Sequence, residues 1–283
     1  MEYTKLSNGL EMPMLGYGVF QIDDATTERC VADALAADYR LIDTAQAYGN
    51  ERGVGAAIAK SGVAREDIFL VDKVWVSNYG EGKTYESIKT SLELLGLDYI
   101  DMMLLHQPYN DYYGAWRDME RALEEGLVRS IGVSNFDPTR LLDLCTFAKV
   151  PPILNQVETH VFWQEVPEHK VMEELGVQHM AWGPFAEGYN DFFNNATLAE
   201  IGAGYGKGVG QVALRYLVDM GVVVIPKSTK PARMAENIDV FDFELTDDDR
   251  ATIAGLDTGH SICYDHTDLT VVGGLLKFIK SSM

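Results

Sequence analysis

The stretch LIDTAQAYGNE, residues 41–51, drives an apolar pair, Leu41-Ile42, into Asp43 and sets Tyr48 five positions later, just before a helix start at Gly49-Asn50-Glu51. Two further groups able to carry charge or protons close short apolar runs downstream: Lys73 in IFLVDKV and His106 after YIDMMLL. A tyrosine phenol has an ordinary pKa of about 10, too high for easy proton exchange near neutrality. An ammonium beside it stabilises the phenolate, and a carboxylate behind that ammonium keeps it charged and in place. Asp43, Lys73 and Tyr48 can form such a relay, and His106 can orient a substrate oxygen or share the proton.

A relay of this kind needs a scaffold that brings four distant chain positions to one mouth. Short apolar runs at 14–19, 39–42, 68–74, 99–105, 128–134, 153–157, 177–182 and 222–226 alternate with helix-like segments near 25–36, 50–60, 84–95, 114–125, 138–147, 165–175, 206–219 and 231–238. Ile88, Leu92 and Leu95 repeat at helical spacing, and Asp137-Pro138 supplies an N-cap followed by a proline at the first helical position. Eight strand–helix repeats without a Pro-, Gly- or Ser-rich break predict a single α/β domain over 1–283, a (β/α)8 TIM barrel. Asn8-Gly9 predicts a short N-terminal β-hairpin. The alternative, a doubly wound open sheet, wants a Gly-rich turn directly after a strand. The one near match, Gly208-x-Gly210-x-x-Ala213, follows the helical stretch ATLAEIGAGYGK, so its glycines read as a helix end and the next helix start.

In a barrel, function gathers at the C-terminal strand ends. Those ends carry Asp43 with Tyr48 in the loop, Lys73, His106, Ser134-Asn135, Asn155-Gln156, Trp182 and Lys227-Ser228, on strands whose bodies are mostly apolar. Each alone could be an ordinary rim or core residue; pointing at one mouth, they make a site.

The bulk numbers exclude several other classes. Of the 283 residues 47% are hydrophobic, enough for a sizeable core, and the formal net charge is −20. That charge argues against nucleic acid and anionic membranes as partners. No run approaches the roughly 18 apolar residues of a membrane span, and MEYTKLSNGLEMP lacks the basic start and apolar core of a signal peptide, so a cytoplasmic chain is expected. Cys30, Cys145 and Cys263 are too scattered for a disulfide framework or a zinc motif, and His160 and His169 lack zinc-helix spacing. No metal is expected. With no evident sticky helix, the expected state is a monomer.

The motifs LIDTAQAYGNE, the lysine of VDKVW, LLHQP, IGVSNF, NQVE, AWGPFAEG and IPKSTKPARMAENIDVFDFEL occur in this order along almost the whole chain. Together they resemble the aldo-keto reductase family, and most closely its bacterial branch of 2,5-diketo-D-gluconate reductases and glyoxal-type aldehyde reductases. The resemblance implies an NADPH-dependent oxidoreductase that turns aldehydes and ketones into alcohols. Tyr48 would protonate the carbonyl oxygen, Lys73 and Asp43 would tune it, and His106 would direct the substrate. Ser134, Asn135 and Gln156 would hold the nicotinamide carboxamide, and Trp182 would stack on its ring. Backbone from Gly183 through Pro184 and Phe185 to Glu187 would follow the pyrophosphate. Lys227, Ser228, Thr229 and Arg233 would grip the adenosine 2′-phosphate, with Glu236 and Asn237 at the adenine. The cluster Lys227, Lys230 and Arg233 would let an acidic protein bind an anion, an arginine fork at a helix start suiting a phosphate ester.

Certain positions depart from the family. Gln107 follows the histidine where many animal relatives have tryptophan, and Phe20 stands where tryptophan is common, leaving Phe20 and Trp75 as aromatic lining and favouring small or polar carbonyls over steroids. Asp72 precedes the lysine where small residues are usual. Strand alternation points it into the helix layer, where a charge is costly unless paired; the other arrangement has it gripping Lys73. The tail after His260 is expected to fold over the barrel mouth and bear on substrate choice. Two other readings are a regulatory module that binds the cofactor with little turnover, and a sugar-phosphate isomerase or lyase barrel.

Overall fold

The computed structural model describes residues 1–281. An antiparallel hairpin, β1 (Tyr3–Lys5) and β2 (Glu11–Pro13), opens the chain and turns at Gly9, whose φ of 89° suits a residue without a Cβ. Thr4 Oγ1 donates to Gln178 Oε1 at 2.9 Å, which fastens the hairpin to the N-terminal end of a barrel strand, opposite the mouth.

Eight parallel strands follow: β3 (Tyr17–Gly18), β4 (Leu41–Asp43), β5 (Phe69–Val74), β6 (Met102–Leu105), β7 (Ile131–Ser134), β8 (Leu154–Glu158), β9 (Gln178–Trp182) and β10 (Val223–Val224). They pair in sequence order. Gly16 N–H donates to Val224 O at 2.8 Å and Val224 N–H to Met14 O at 2.9 Å, so the last strand meets the first and the barrel closes. The strand bodies are buried throughout, as expected for a parallel sheet with helices outside and side chains filling the interior.

The helical layer comprises α1 (Asp24–Ala36), α2 (Glu51–Lys60), α3 (Lys83–Leu95), α4 (Tyr112–Glu124), α5 (Pro138–Phe147), α6 (Val166–Glu174), α7 (Ala196–Tyr205), α8 (Val209–Asp219), α9 (Pro231–Ile238), α10 (Asp247–Ala254) and α11 (Leu269–Ser281). Asp137 accepts from the amides of Thr139 and Arg140 ahead of α5, and Asp23 accepts from Thr26 ahead of α1. Packing between α2 and α3 is close: a Cβ on Gly55 would sit 1.9 Å from the Leu95 carbonyl oxygen. Glycine there lets α2 dock and thereby fixes the loop that carries Tyr48.

The eight expected barrel helices are present, within a few residues. The seventh begins at Val209, not at 206, because Gly206 takes a left-handed φ of 68° and ends α7. Helix α10 was not expected; its three leading aspartates look like a loop, but the Thr246–Asp249 capping box uses that charge at a helix N-terminus. The tail is expected over the barrel mouth, with no element assigned to it. It contains α11, whose apolar residues flank Gly273-Gly274 and so hide the helical period, and positions 282 and 283 lie outside the described residues.

Candidate active site

Strand register builds the site. Residues Asp43 and Val71 are partners across β4 and β5, which places Lys73 one inward position further along β5. Lys73 Nζ donates to Asp43 Oδ1 at 2.6 Å and to the Thr44 carbonyl at 2.8 Å, and lies 3.3 Å from the Tyr48 hydroxyl. The lysine is wholly buried and Asp43 is 2% exposed. A buried ion pair persists only where further hydrogen bonds satisfy it, and here Gln156 Nε2 donates to the other oxygen, Asp43 Oδ2, at 2.7 Å. Gln156 therefore steadies the carboxylate, a contact the sequence does not reveal.

Burial works against the Lys73 ammonium, yet Asp43 and Tyr48 outweigh it and raise the lysine above its ordinary value. For Tyr48 the balance falls the other way. Burial pushes the phenol up, and the pull of Lys73 only partly offsets it. The sequence argument anticipates a phenol drawn downward by its lysine; the structure gives a neutral phenol, the form that donates a proton. His106 meets Tyr48 edge-on, with ring centroids 5.8 Å apart and planes at 76°, and meets Trp75 at 5.2 Å. Burial, aided by Lys73, depresses its pKa well below the usual imidazole range, so His106 is neutral.

Ser134, Asn135 and Trp182 interlock beside this relay. Asn135 takes a left-handed φ of 63° at the end of β7. Its Nδ2 donates to the His106 carbonyl at 3.1 Å, and its Oδ1 accepts from Trp182 Nε1 at 2.8 Å. Ser134 Oγ donates to the Gln156 carbonyl at 2.8 Å.

These groups open onto a cleft of about 780 Å³, within the range of small-molecule sites. Asp43, Tyr48, His106, Ser134, Asn135, Gln156 and Trp182 line it, as do Phe20, Trp75 and Gln107. Gly183, Pro184, Phe185 and Glu187 follow along one side, on a loop with left-handed backbone at Gly183, Ala186, Glu187, Asn190 and Asp191. Phe185, Phe193, Lys227 and Arg233 are shared with a second hollow of about 220 Å³, which adds Ser228, Glu236 and Asn237. Lys73 sits behind the cleft wall. Thr229 lines neither hollow, and its carbonyl accepts from Arg29 Nη2 at 3.4 Å. Residues not singled out from the sequence also line the cleft, among them Tyr189, Phe193, Cys263, Tyr264 and His266. The last three belong to the tail, which the sequence places over the mouth without indicating which residues face inward.

Among the described residues, Lys227, Lys230 and Arg233 have no acidic partner. In a chain carrying 43 acidic residues, two such cations lining one hollow, Lys227 and Arg233, with Lys230 close by in sequence, fit an anionic ligand. The donor set thus suits a phosphorylated dinucleotide.

Asp72 follows the outward arrangement. Wholly buried, it lies with its carboxyl against that of Glu51 at the start of α2, and its Oδ1 accepts from the Lys73 backbone N–H at 2.8 Å. Burial and Glu51 push Asp72 well above the usual carboxylate range, which favours a protonated carboxyl in this pair, on the face of the strand opposite the lysine side chain.

Barrel, buried relay and cationic hollow together define a nicotinamide-dependent oxidoreductase. Comparison with known proteins makes this specific: the chain belongs to the Aldo/keto reductase family, whose profile matches residues 6–258. It is 42% identical over 255 residues to the glyoxal reductase of Bacillus subtilis, covering 89% of this chain and 92% of that one. Among solved structures, an aldo-keto reductase enzyme from a Medee basin deep-sea metagenome library superposes with a TM-score of 0.91 at 40% identity, covering 94% of this chain and 99% of that one. The Bombyx mori aldo-keto reductase in complex with NADP superposes with a TM-score of 0.89 at 34% identity, covering 95% and 96%. The protein is an NADP-dependent oxidoreductase that reduces carbonyl compounds.

Proposed function

We propose that this chain reduces small dicarbonyls, aldehydes and keto sugars to alcohols, with Tyr48 as the proton donor. The observation that carries the reading is the contact of the Tyr48 hydroxyl with Lys73 Nζ at 3.3 Å, in a chain that continues through Asp43 to Gln156. Bound NADPH supplies the hydride to the carbonyl carbon. The Tyr48 O–H proton passes to the carbonyl oxygen, and the phenolate left behind faces the Lys73 ammonium until a solvent proton restores it. Neutral His106 positions the carbonyl oxygen. Trp75 and Phe20 supply aromatic walls, with Phe20 packed on Tyr48 at 5.0 Å. Ser134, Asn135, Gln156 and Trp182 seat the nicotinamide, 183–187 the pyrophosphate, and Lys227, Ser228 and Arg233 the adenosine phosphate, with Glu236 and Asn237 at the adenine. The exposed position of Thr229 favours a backbone role at most. Similarity to the glyoxal reductase of Bacillus subtilis supports small dicarbonyls as the substrate class.

The test is NADPH consumption, with NADH in parallel, against methylglyoxal, phenylglyoxal, an aromatic aldehyde, an open-chain aldose and a diketo sugar acid. Turnover led by the small dicarbonyls is the expected result. A lack of turnover with any carbonyl, despite tight NADPH binding, would overturn the reading.

A further inference from the structure

Glu158 is the last residue of β8, 4% exposed, and its carboxylate collects five donors. Oε1 accepts from His160 Nε2 at 3.1 Å and from the amides of Ile262 and Cys263 at 3.0 Å each. Oε2 accepts from Ser261 Oγ at 2.7 Å and from the Tyr264 amide at 3.0 Å. Four of the five come from consecutive tail residues, which form no regular helix or strand and so have no ladder of their own. The next contact is His266 Nε2, which donates to Gln107 Oε1 at 3.1 Å. Gln107 is itself pinned by Tyr79, whose hydroxyl donates to its carbonyl at 3.0 Å and accepts from its amide at 3.1 Å. Between these two fastenings stand Cys263, Tyr264 and His266, the tail residues that wall the cleft.

We propose that Glu158 is a positioning residue for substrate selection: by gripping the Ser261 hydroxyl and the backbone of 262–264 it sets the cleft wall of Cys263, Tyr264 and His266, and so decides which carbonyl substituents fit. The inference rests on the carbonyl-reductase reading for its choice of substrates. A charged carboxylate accepting several backbone N–H groups forms strong bonds, and these donors hold Glu158 at a pKa of about 2 despite its burial. The anchor is therefore fully ionised at every working pH.

Glu158, His160 and Cys263 also bring three donor atoms within 4.8 Å of one another, a spacing that could hold a metal ion. Their hydrogen bonds favour the anchor. His160 Nδ1 accepts from the Phe162 amide at 3.3 Å, which puts the imidazole proton on Nε2, the nitrogen an ion would need bare. The Cys263 thiol is pushed up by burial and by Glu158, away from the thiolate that binds metals.

The experiment compares the full chain with E158Q and S261A, by amide hydrogen exchange and by the ratio of kcat/KM for phenylglyoxal to that for methylglyoxal. E158Q should speed exchange at 262–264 by about ten-fold or more while the barrel strands stay protected. The bulky-to-small ratio should change by roughly five-fold or more, mainly through KM. S261A, which removes a single donor, should shift both readouts the same way by less, and it decides the matter if E158Q does not fold. Unchanged exchange at 262–264 with normal turnover would overturn the anchor, and faster exchange with an unchanged ratio would overturn its role in selection. Wild-type protein that turned over no carbonyl would instead overturn the functional reading.

Discussion

The carboxyl of Asp72 lies against the carboxyl of Glu51, between β5 and α2, while the ammonium of the very next residue, Lys73, points inward to Asp43. One strand thus carries an acid pair on its outer face and the relay on its inner face, a single residue apart. Asp72 still raises the Tyr48 phenol and is itself lowered by Lys73, each a smaller effect than burial. Asp72 Oδ2 and Glu51 Oε1 are buried without a hydrogen-bond donor, so the pair is poorly satisfied.

Asp72→Asn should therefore stabilise the protein at neutral pH, since an amide can donate to the Glu51 carboxylate where the acid needs a bound proton. The sign follows from linkage. A carboxyl raised above its ordinary value of about 4 binds a proton in the folded chain that the unfolded chain has released, so stability falls as pH climbs toward the folded value. At neutral pH the gain should be of order 1 kcal/mol or more, the cost of a poorly satisfied buried group. Thermal unfolding across the pH range should give a higher Tm for the variant at neutral pH and converging curves in acid. Equal Tm values throughout would mean that the pair costs nothing.

How far the sequence reaches is clear from such pairs. Strand alternation alone sends Asp72 outward and Lys73 inward, and apolar runs ending in polar residues mark the mouth. What stays hidden depends on long-range contact. Gln156 holds Asp43 from across the barrel, Glu158 gathers amides from the tail, and α11 is obscured because its glycines interrupt the apolar period. The net direction for Tyr48 is also beyond sequence, because the depth of burial that outweighs Lys73 is a property of the closed barrel.

Tyr48→Phe removes the proton donor and little else, since the ring still packs on Phe20 and the lysine keeps Asp43. Carbonyl reduction should fall by about 10²- to 10⁴-fold, the usual contribution of a general acid. NADPH binding, followed by quenching of tryptophan fluorescence, should hardly change. Near-normal turnover by this variant would remove Tyr48 from the mechanism.

The pH profile separates Tyr48 from His106. His106 is kept neutral by burial and by Lys73, so no inflection should occur near the ordinary imidazole value of about 6.5. Tyr48 acts in its protonated form, and burial raises its pKa, so the donor survives through neutrality and is lost only in alkaline solution. The rate kcat/KM should stay flat from mildly acid to mildly alkaline pH and then decline. A break in the neutral range that disappears in His106→Asn would show instead that the imidazole titrates during turnover.

Arg233 tests the cationic hollow. It shares that hollow with Lys227 and Ser228 and, like Lys227 and Lys230, has no acidic partner among the described residues. A charge-assisted hydrogen bond to phosphate contributes roughly 1.5–3 kcal/mol, so Arg233→Ala should weaken NADPH binding by roughly 10- to 100-fold. NADH, which lacks the 2′-phosphate, should lose far less. Because the site is at the surface of a chain with net charge −20, added salt acts twice, screening the attractive cluster and the repulsive global field. If the local cluster dominates, the preference of the wild type for NADPH over NADH narrows as ionic strength rises, and the variant shows little such narrowing. Equal losses for both cofactors in the variant would place the phosphate elsewhere, because only a direct contact with the phosphate can tell the two dinucleotides apart.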